Sequence, residues 1–272
     1  MRNTIIFADT SIGMTDKVKE RVKLIPQYYY FEEDKVYTEI NGLTKEEFYK
    51  QLEEKRAYTA GCNPSETEEL FRQELEKGND IICLAMSSKL SSTYNTLRMV
   101  AEDLQDEYLD NKIVVVDTRS TSLGISFLAE KAMELIDANL EINNIANELA
   151  QLIEKIHVYF IVDDLKYLAR GGRINPSIAK VGDVLNIKPI LYINDGKIEV
   201  HHKARGLKGA MKHLDSAVKS RAISKIGIVK LNNENLYSEM RNKVDTNYHV
   251  DLGLVLASHL GPNAIATVVM SE

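Results

Sequence analysis

Asp80-Ile81-Ile82-Cys83-Leu84-Ala85-Met86-Ser87-Ser88-Lys89-Leu90-Ser91-Ser92-Thr93 reads as a buried strand that runs into a serine-rich turn. Over 93–108, Tyr94, Leu97, Val100, Ala101, Leu104 and Tyr108 recur at helical spacing, so the turn connects a strand to a helix. The same punctuation occurs twice more. Residues 4–8 end in Asp9-Thr10-Ser11, and residues 112–116 end in Asp117-Thr118-Arg119-Ser120-Thr121-Ser122, ahead of a helical pattern over 126–135. Ile113-Val114-Val115-Val116 is apolar without alternation, as in a strand covered on both faces by helices. The first half therefore reads as a parallel sheet with crossover helices. In such sheets ligands bind at the carboxyl ends of the strands, where all three polar segments lie.

The second half changes character. A helical stretch over 141–155 leads to an apolar run over 158–162, which puts the domain boundary near His157. Residues 188–194 and 197–203 flank Asp195-Gly196, a pair that tolerates the positive φ values of a tight hairpin turn, so an antiparallel element joins this half. The pattern then predicts a helix over 206–222, a strand over 225–231, a helix over 236–244, a strand over 250–257 and a closing apolar run over 264–270.

With 272 residues and 44% hydrophobic content the chain is long enough for a large domain or two smaller ones. Its 34 basic and 40 acidic residues are interspersed and give a net charge of −6, which argues against a general nucleic-acid or anionic-membrane surface. Cys62 and Cys83 form no CxxC pair, and Met1-Arg2-Asn3-Thr4 runs straight into Ile5-Ile6-Phe7, so a reducing, cytoplasmic setting is expected. No apolar run approaches the roughly 20 residues of a membrane-spanning helix.

The turn over 87–93 sits at a helix N-terminus, where backbone N–H groups and hydroxyls suit a carboxylate or phosphate. Ordinary N-capping by Ser91 or Ser92 is an equal reading of the same residues. A nucleophilic role for Ser91 lacks the G-x-S-x-G elbow. His259, after the strand predicted over 250–257, can supply a hydrogen bond or a positive charge to the same anion, although a lone histidine is more often structural. His201 and His202 are adjacent and would point to opposite faces of a strand, which is wrong for joint metal coordination. Arg173 and Arg205 stand beside glycines in loop-like contexts, the usual place of solvated arginines and also of phosphate- or partner-facing ones. Ile178, Val181, Val184, Leu185, Ile187, Ile190 and Leu191 can pack a core or line an acyl tunnel.

Taken in order, Ala8-Asp9-Thr10-Ser11, Thr59-Ala60-Gly61-Cys62-Asn63-Pro64-Ser65, the turn from Ser87 with Tyr94 after it, Val116-Asp117-Thr118, the run 165–174, Ile187-Lys188-Pro189-Ile190-Leu191 and His259-Leu260-Gly261-Pro262 resemble the DegV family. The resemblance spans nearly the whole chain. It implies an α/β protein of two domains: a Rossmann-like parallel-sheet domain over 1–157, carrying carboxylate-binding turns, and a smaller α/β domain with a mixed sheet over 158–272, carrying the acyl-chain pocket. It implies a long-chain fatty acid as ligand and no cofactor or metal. Ser91, the backbone N–H of Ser92, Thr59 and His259 would bind the carboxylate. Arg173 and Arg205 would steady it or engage a separate ATP-dependent fatty-acid kinase subunit, to which the chain, itself no enzyme, would present the acid. Ser92 stands where the family has glycine, and Ala60-Gly61-Cys62 where it has serine and glutamine. Two other readings are an enzyme acting on a small anionic substrate through Ser91 and His259, and a lipid-sensing regulator.

Overall fold

Strands β1 (Thr4–Asp9), β6 (Asp80–Ala85) and β7 (Ile113–Asp117) form where the apolar runs predict them. With β2 (Val22–Ile25) they make a four-stranded sheet in the order β2-β1-β6-β7, parallel throughout. The computed structural model describes residues 2–32, 35–175, 178 and 187–272. Side chains alternate across this sheet. Phe7, Ile81 and Cys83 pack with Phe71 of α3 (Pro64–Leu75) and Leu97 of α4 (Thr93–Glu107), while Ile6, Ala8, Ile82 and Leu84 belong to the main core on the other face.

The second sheet is mixed. Its order is β10-β9-β8-β13-β11-β12, made by β8 (Ile156–Val162), β9 (Ile187–Asn194), β10 (Lys197–Arg205), β11 (Ile223–Lys230), β12 (Tyr248–Asp251) and β13 (Ala264–Ser271). Among its described strands only β11 and β12 pair in parallel. The hairpin turn is as expected, with φ of 44° at Asp195 and 77° at Gly196. Helices α8 (Gly206–Lys219) and α9 (Glu234–Arg241) bury one face of this sheet through Met211, Leu214 and Met240. Because β8 begins at Ile156, the expected division after residue 157 falls inside that strand, and His157 belongs to the second sheet.

Helix α5 (Leu123–Asp137) joins the two sheets. Ten of its 15 residues are buried, among them Leu123, Ile125, Phe127 and Leu128, so it is apolar on more than one face. It packs on β1 and β6 on one side and on β8, β11 and β13 on the other. The all-round burial of such a helix requires cover from both sides. Glu130, 2% exposed, accepts hydrogen bonds from Lys225 Nζ and Tyr248 Oη, both at 2.8 Å, which ties α5 to the second sheet.

Two local expectations are corrected. The predicted strand over 250–257 is instead β12 followed by helix α10 (Leu254–Leu260). Its first turn is capped from far away in sequence: the Glu39 carboxylate accepts from Leu254 N and from Val255 N, the latter at 3.0 Å. His201 and His202 do not point to opposite faces. A bulge between Val200 and His202 breaks the alternation, and the two rings lie 5.5 and 3.7 Å from that of His213. Among the described residues no group of three or more His, Cys, Asp or Glu is arranged to hold a metal ion.

A third, antiparallel sheet, β4 (Tyr37–Thr38), β3 (Tyr28–Phe31) and β5 (Ala57–Ala60), was not anticipated. Its aromatic core packs on α2 (Lys45–Glu54), with Tyr29 against Tyr37 and Phe48. The sequence signal for α2 was available: Thr44 and Glu47 form a capping box. This sheet positions Thr59.

Candidate functional site

The turn over 87–93 is held by acidic residues at the ends of neighbouring strands. Asp9, fully buried at the end of β1, accepts from Met86 N at 2.6 Å and Ser11 N at 3.0 Å; burial raises its pKa. Asp117, at the end of β7, accepts from Ser88 N at 3.1 Å. Ser87 Oγ donates to Gly196 O at 2.7 Å, so the hairpin tip of the second sheet is seated on the turn. The three polar segments converge as foreseen, but Asp9 and Asp117 serve as struts, while Ser91 and Ser92 face the cavity that the turn borders.

That cavity, about 390 Å³, lies between the turn and the second sheet. Phe160, Val229, Ala266 and Val268 of the sheet and Val255 and Leu256 of α10 supply apolar walls, and the hairpin adds Ile193 and Ile198. The size suits a small-molecule ligand, and the walls suit an apolar one. Of the apolar residues singled out from sequence, Ile190 and Leu191 are core, and Ile178 is partly buried against it. Ile187 opens β9 without lining the cavity, and Val181, Val184 and Leu185 lie outside the described residues.

At one end the lining is polar. Thr59, Ser91, Ser92, Arg173 and His259 all border the cavity, although they come from four separate segments. Thr59 Oγ1 lies 2.9 Å from His259 Nε2. Ser91 Oγ accepts from Thr93 N at 3.2 Å, so Ser91 caps helix α4 and also lines the cavity; Ser92 makes no side-chain cap. The two readings of the turn are therefore compatible. Arg173 Nε donates to Leu90 O at 3.0 Å, and its Nη1 donates to Gly171 O. Gly171 is needed for close approach: a Cβ there would collide with His259 Nδ1. Arg205, by contrast, is exposed at the end of β10 and does not line the cavity.

Burial, reinforced by the positive charge of Arg173, pushes the His259 pKa down to about 4. The imidazole is thus neutral at pH 7, and the charge at this end belongs to Arg173. Above pH 6.5 His259 is neutral folded and unfolded, whereas below it the unfolded chain takes up a proton that the folded chain refuses. Stability is therefore expected to fall by about 2–3 kcal/mol between pH 7 and pH 4 through this group. Urea unfolding of wild type and His259→Gln across that range checks it; equal slopes would show that His259 titrates normally when folded.

Thr121 and Ser122 of the third polar segment also border the cavity, as does Gln27, which sequence reasoning missed. Gln27 follows β2 in Ile25-Pro26-Gln27 and carries no local signal. A second, more polar cavity of about 330 Å³ adjoins the first, sharing Thr59, Arg173 and His259 and adding Arg56 and Arg170.

Residues 3–272 match the family model for uncharacterised proteins of the DegV family. The chain belongs to the DegV family. A DegV domain-containing protein of Clostridium perfringens is 31% identical over 248 residues, covering 85% of this chain and 83% of the relative. Among solved structures, a fatty acid binding DegV family protein of Streptococcus agalactiae superposes with a TM-score of 0.88 at 26% identity, covering 100% of both chains. A DegV family protein of Thermus thermophilus, solved for its fatty acid binding, gives the same TM-score, identity and coverage. The two-domain α/β architecture of this DegV-family chain is that of these structures. None of its described helices is long and apolar enough to cross a membrane.

Proposed function

We propose that the chain binds a long-chain fatty acid in the cavity between the sheets, with its carboxylate against Thr59, Ser91, Ser92 and His259, and Arg173 as counter-charge. One observation carries this reading: a cavity apolar along most of its wall ends in a single cluster of hydroxyls, a neutral imidazole and a guanidinium. A buried carboxylate needs several donors, and a hydrogen bond to a charged group contributes about 1.5–3 kcal/mol. The fatty acids bound by the Streptococcus agalactiae and Thermus thermophilus proteins support the ligand class.

In this reading the chain is a carrier and no enzyme. Ser91 Oγ is hydrogen-bonded to Thr93 and His259 to Thr59, so the two do not form the nucleophile and base pair that an acyl-transfer enzyme would use. Residues 1–157 supply the head-group turns and residues 158–272 most of the acyl pocket, and the carrier acts in the cytoplasm, where its two buried free thiols stay reduced. The acid is presented to an ATP-dependent kinase partner through the polar cavity that adjoins the carboxylate end, with exposed Arg205 as a further contact.

The test is mass spectrometry of the gently purified protein, followed by titration with hexadecanoate. A stoichiometric fatty acid in wild type and an affinity about 10–100-fold weaker in Ser91→Ala are expected. A protein that retains no lipid and binds no hexadecanoate would overturn the carrier reading in favour of turnover of a small anionic substrate.

A further inference from the structure

Gln27 is the most buried polar residue that borders the cavity without an assigned part. It is 1% exposed, and its side-chain Nε2 lies 3.1 Å from Thr93 Oγ1 and 3.1 Å from Met86 Sδ. Thr93, fully buried, places the same Oγ1 2.9 Å from Ser91 Oγ. Three side chains from two segments thus form a line that ends at the hydroxyl proposed to meet the carboxylate. From these contacts we infer that Gln27 and Thr93 are positioning residues that point the Ser91 hydroxyl hydrogen into the cavity. The inference rests on the carboxylate reading given above.

The Gln27 amide is oriented by Met86: a thioether accepts from N–H and repels a carbonyl oxygen, so the nitrogen is the atom that faces both Met86 Sδ and Thr93 Oγ1. Thr93 Oγ1 therefore accepts from Gln27. The neighbouring Cys62 thiol, whose pKa burial pushes well up, stays protonated, and its sulfur is a weaker acceptor than the Ser91 hydroxyl oxygen. Thr93 Oγ1 keeps a second acceptor site and its own hydrogen, and in the proposed arrangement that hydrogen is donated to Ser91 Oγ. Ser91 Oγ also accepts from Thr93 N at 3.2 Å, so in that arrangement both its lone pairs are taken. What remains is its O–H, which has no partner but the ligand. If Ser91 instead donated to Thr93, a lone pair would face the carboxylate and repel it.

A carboxylate held by this chain receives a hydrogen bond that is already oriented before binding, which spares the cost of turning a hydroxyl at the moment of capture. The same arrangement discriminates between ligands. An anionic carboxylate accepts from Ser91, whereas an aldehyde or ester of the same chain length presents a weaker, uncharged acceptor to the same donor.

The experiment is titration of wild type, Ser91→Ala, Thr93→Val, Thr93→Ser, Gln27→Met and the Ser91→Ala/Thr93→Val double variant with carboxyl-13C-labelled hexadecanoate. Affinity and the carboxyl resonance are both read, and circular dichroism checks folding. Thr93→Val is expected to weaken binding about tenfold and to move the resonance toward its position in Ser91→Ala; Gln27→Met should act in the same direction. Thr93→Ser, which keeps the hydroxyl, should restore both readouts, and the double variant should bind no more weakly than Ser91→Ala alone. If Ser91→Ala weakens binding while Thr93→Val and Gln27→Met bind as wild type does, the relay is wrong and the carboxylate site stands. Equal weakening in Thr93→Ser and Thr93→Val would also overturn it, since shape and not the hydroxyl would then matter. Unaltered binding by Ser91→Ala would remove the carboxylate site itself. Should Thr93→Val fail to fold, Gln27→Met decides alone.

Discussion

Glu130→Ala is expected to lower the stability of the whole chain by about 3–5 kcal/mol, read as a fall in the urea midpoint at constant slope. Glu130 sits on the helix shared by both sheets, and its Oε2 takes hydrogen bonds from Lys225 and Tyr248 at 2.8 Å. Lys225 is itself largely shielded, 21% exposed, with its ammonium 5.8 Å from the Phe127 ring centre and 5.9 Å from that of Tyr248. Truncation at Glu130 removes the counter-charge and leaves that ammonium in a poorly solvated place, which is why one missing partner costs more than the pair is worth. Replacing both, as Glu130→Met/Lys225→Met, is expected to restore most of the loss, because no buried charge remains. A loss under about 1 kcal/mol for Glu130→Ala would mean that the ion pair is solvated and that α5 is held to the second sheet by apolar packing alone.

The expected loss is global because α5 belongs to both sheets. Leu123 and Phe127 lie in the same continuous core as Ile82 and Leu84 of the first sheet and Val229 and Val268 of the second. Two units that share a helix cannot unfold independently without exposing it, so a single cooperative transition follows. Periodicity marked residues 126–135 as a helix but could not show that it would be covered from two sides, because the partner of its second face begins some 20 residues later in the chain.

That contrast runs through the molecule. Features written in local chemistry were legible: the βα turns ending in Asp9, Ser87 and Asp117, the Asp195-Gly196 hairpin, and the serines at the start of α4. Where a distant group decides the conformation, local reading failed. Residues 252–260 are apolar enough for strand or helix, and helix wins because Glu39, more than 200 residues away, satisfies the first N–H groups of α10. His259 therefore leaves a helix and not a strand, and it reaches Thr59 across 200 positions of sequence. The family resemblance brought Thr59, Ser91, Ser92 and His259 together on paper, and in the fold these four do border one cavity. It gave no hint of Gln27, whose part depends on where β2 ends relative to α4.

Ala266→Phe is expected to abolish the preference for long acyl chains while leaving the head-group contacts in place. Ala266 lies on β13, on the apolar wall made by the second sheet. Each methylene buried contributes about 0.8 kcal/mol, so wild-type affinity should climb steadily along a series of saturated acids until the cavity is full. A phenyl ring in that space shortens the available length, and displacing six methylenes would forfeit about 5 kcal/mol, several thousandfold in affinity. Short acids should bind Ala266→Phe and wild type alike, because their tails end before the ring. Calorimetric titration over the series measures this directly, with the break in slope reporting the usable length. The opposite pattern, an equal loss for short and long acids, would place Ala266 beside the carboxylate and reverse the orientation of the ligand. Affinities unchanged across the whole series would mean that the acyl chain runs elsewhere. On the proposed reading tail burial is the larger contribution to affinity, whereas the polar end would set which way round the ligand lies and turn its carboxylate toward the adjoining cavity that holds Arg56 and Arg170.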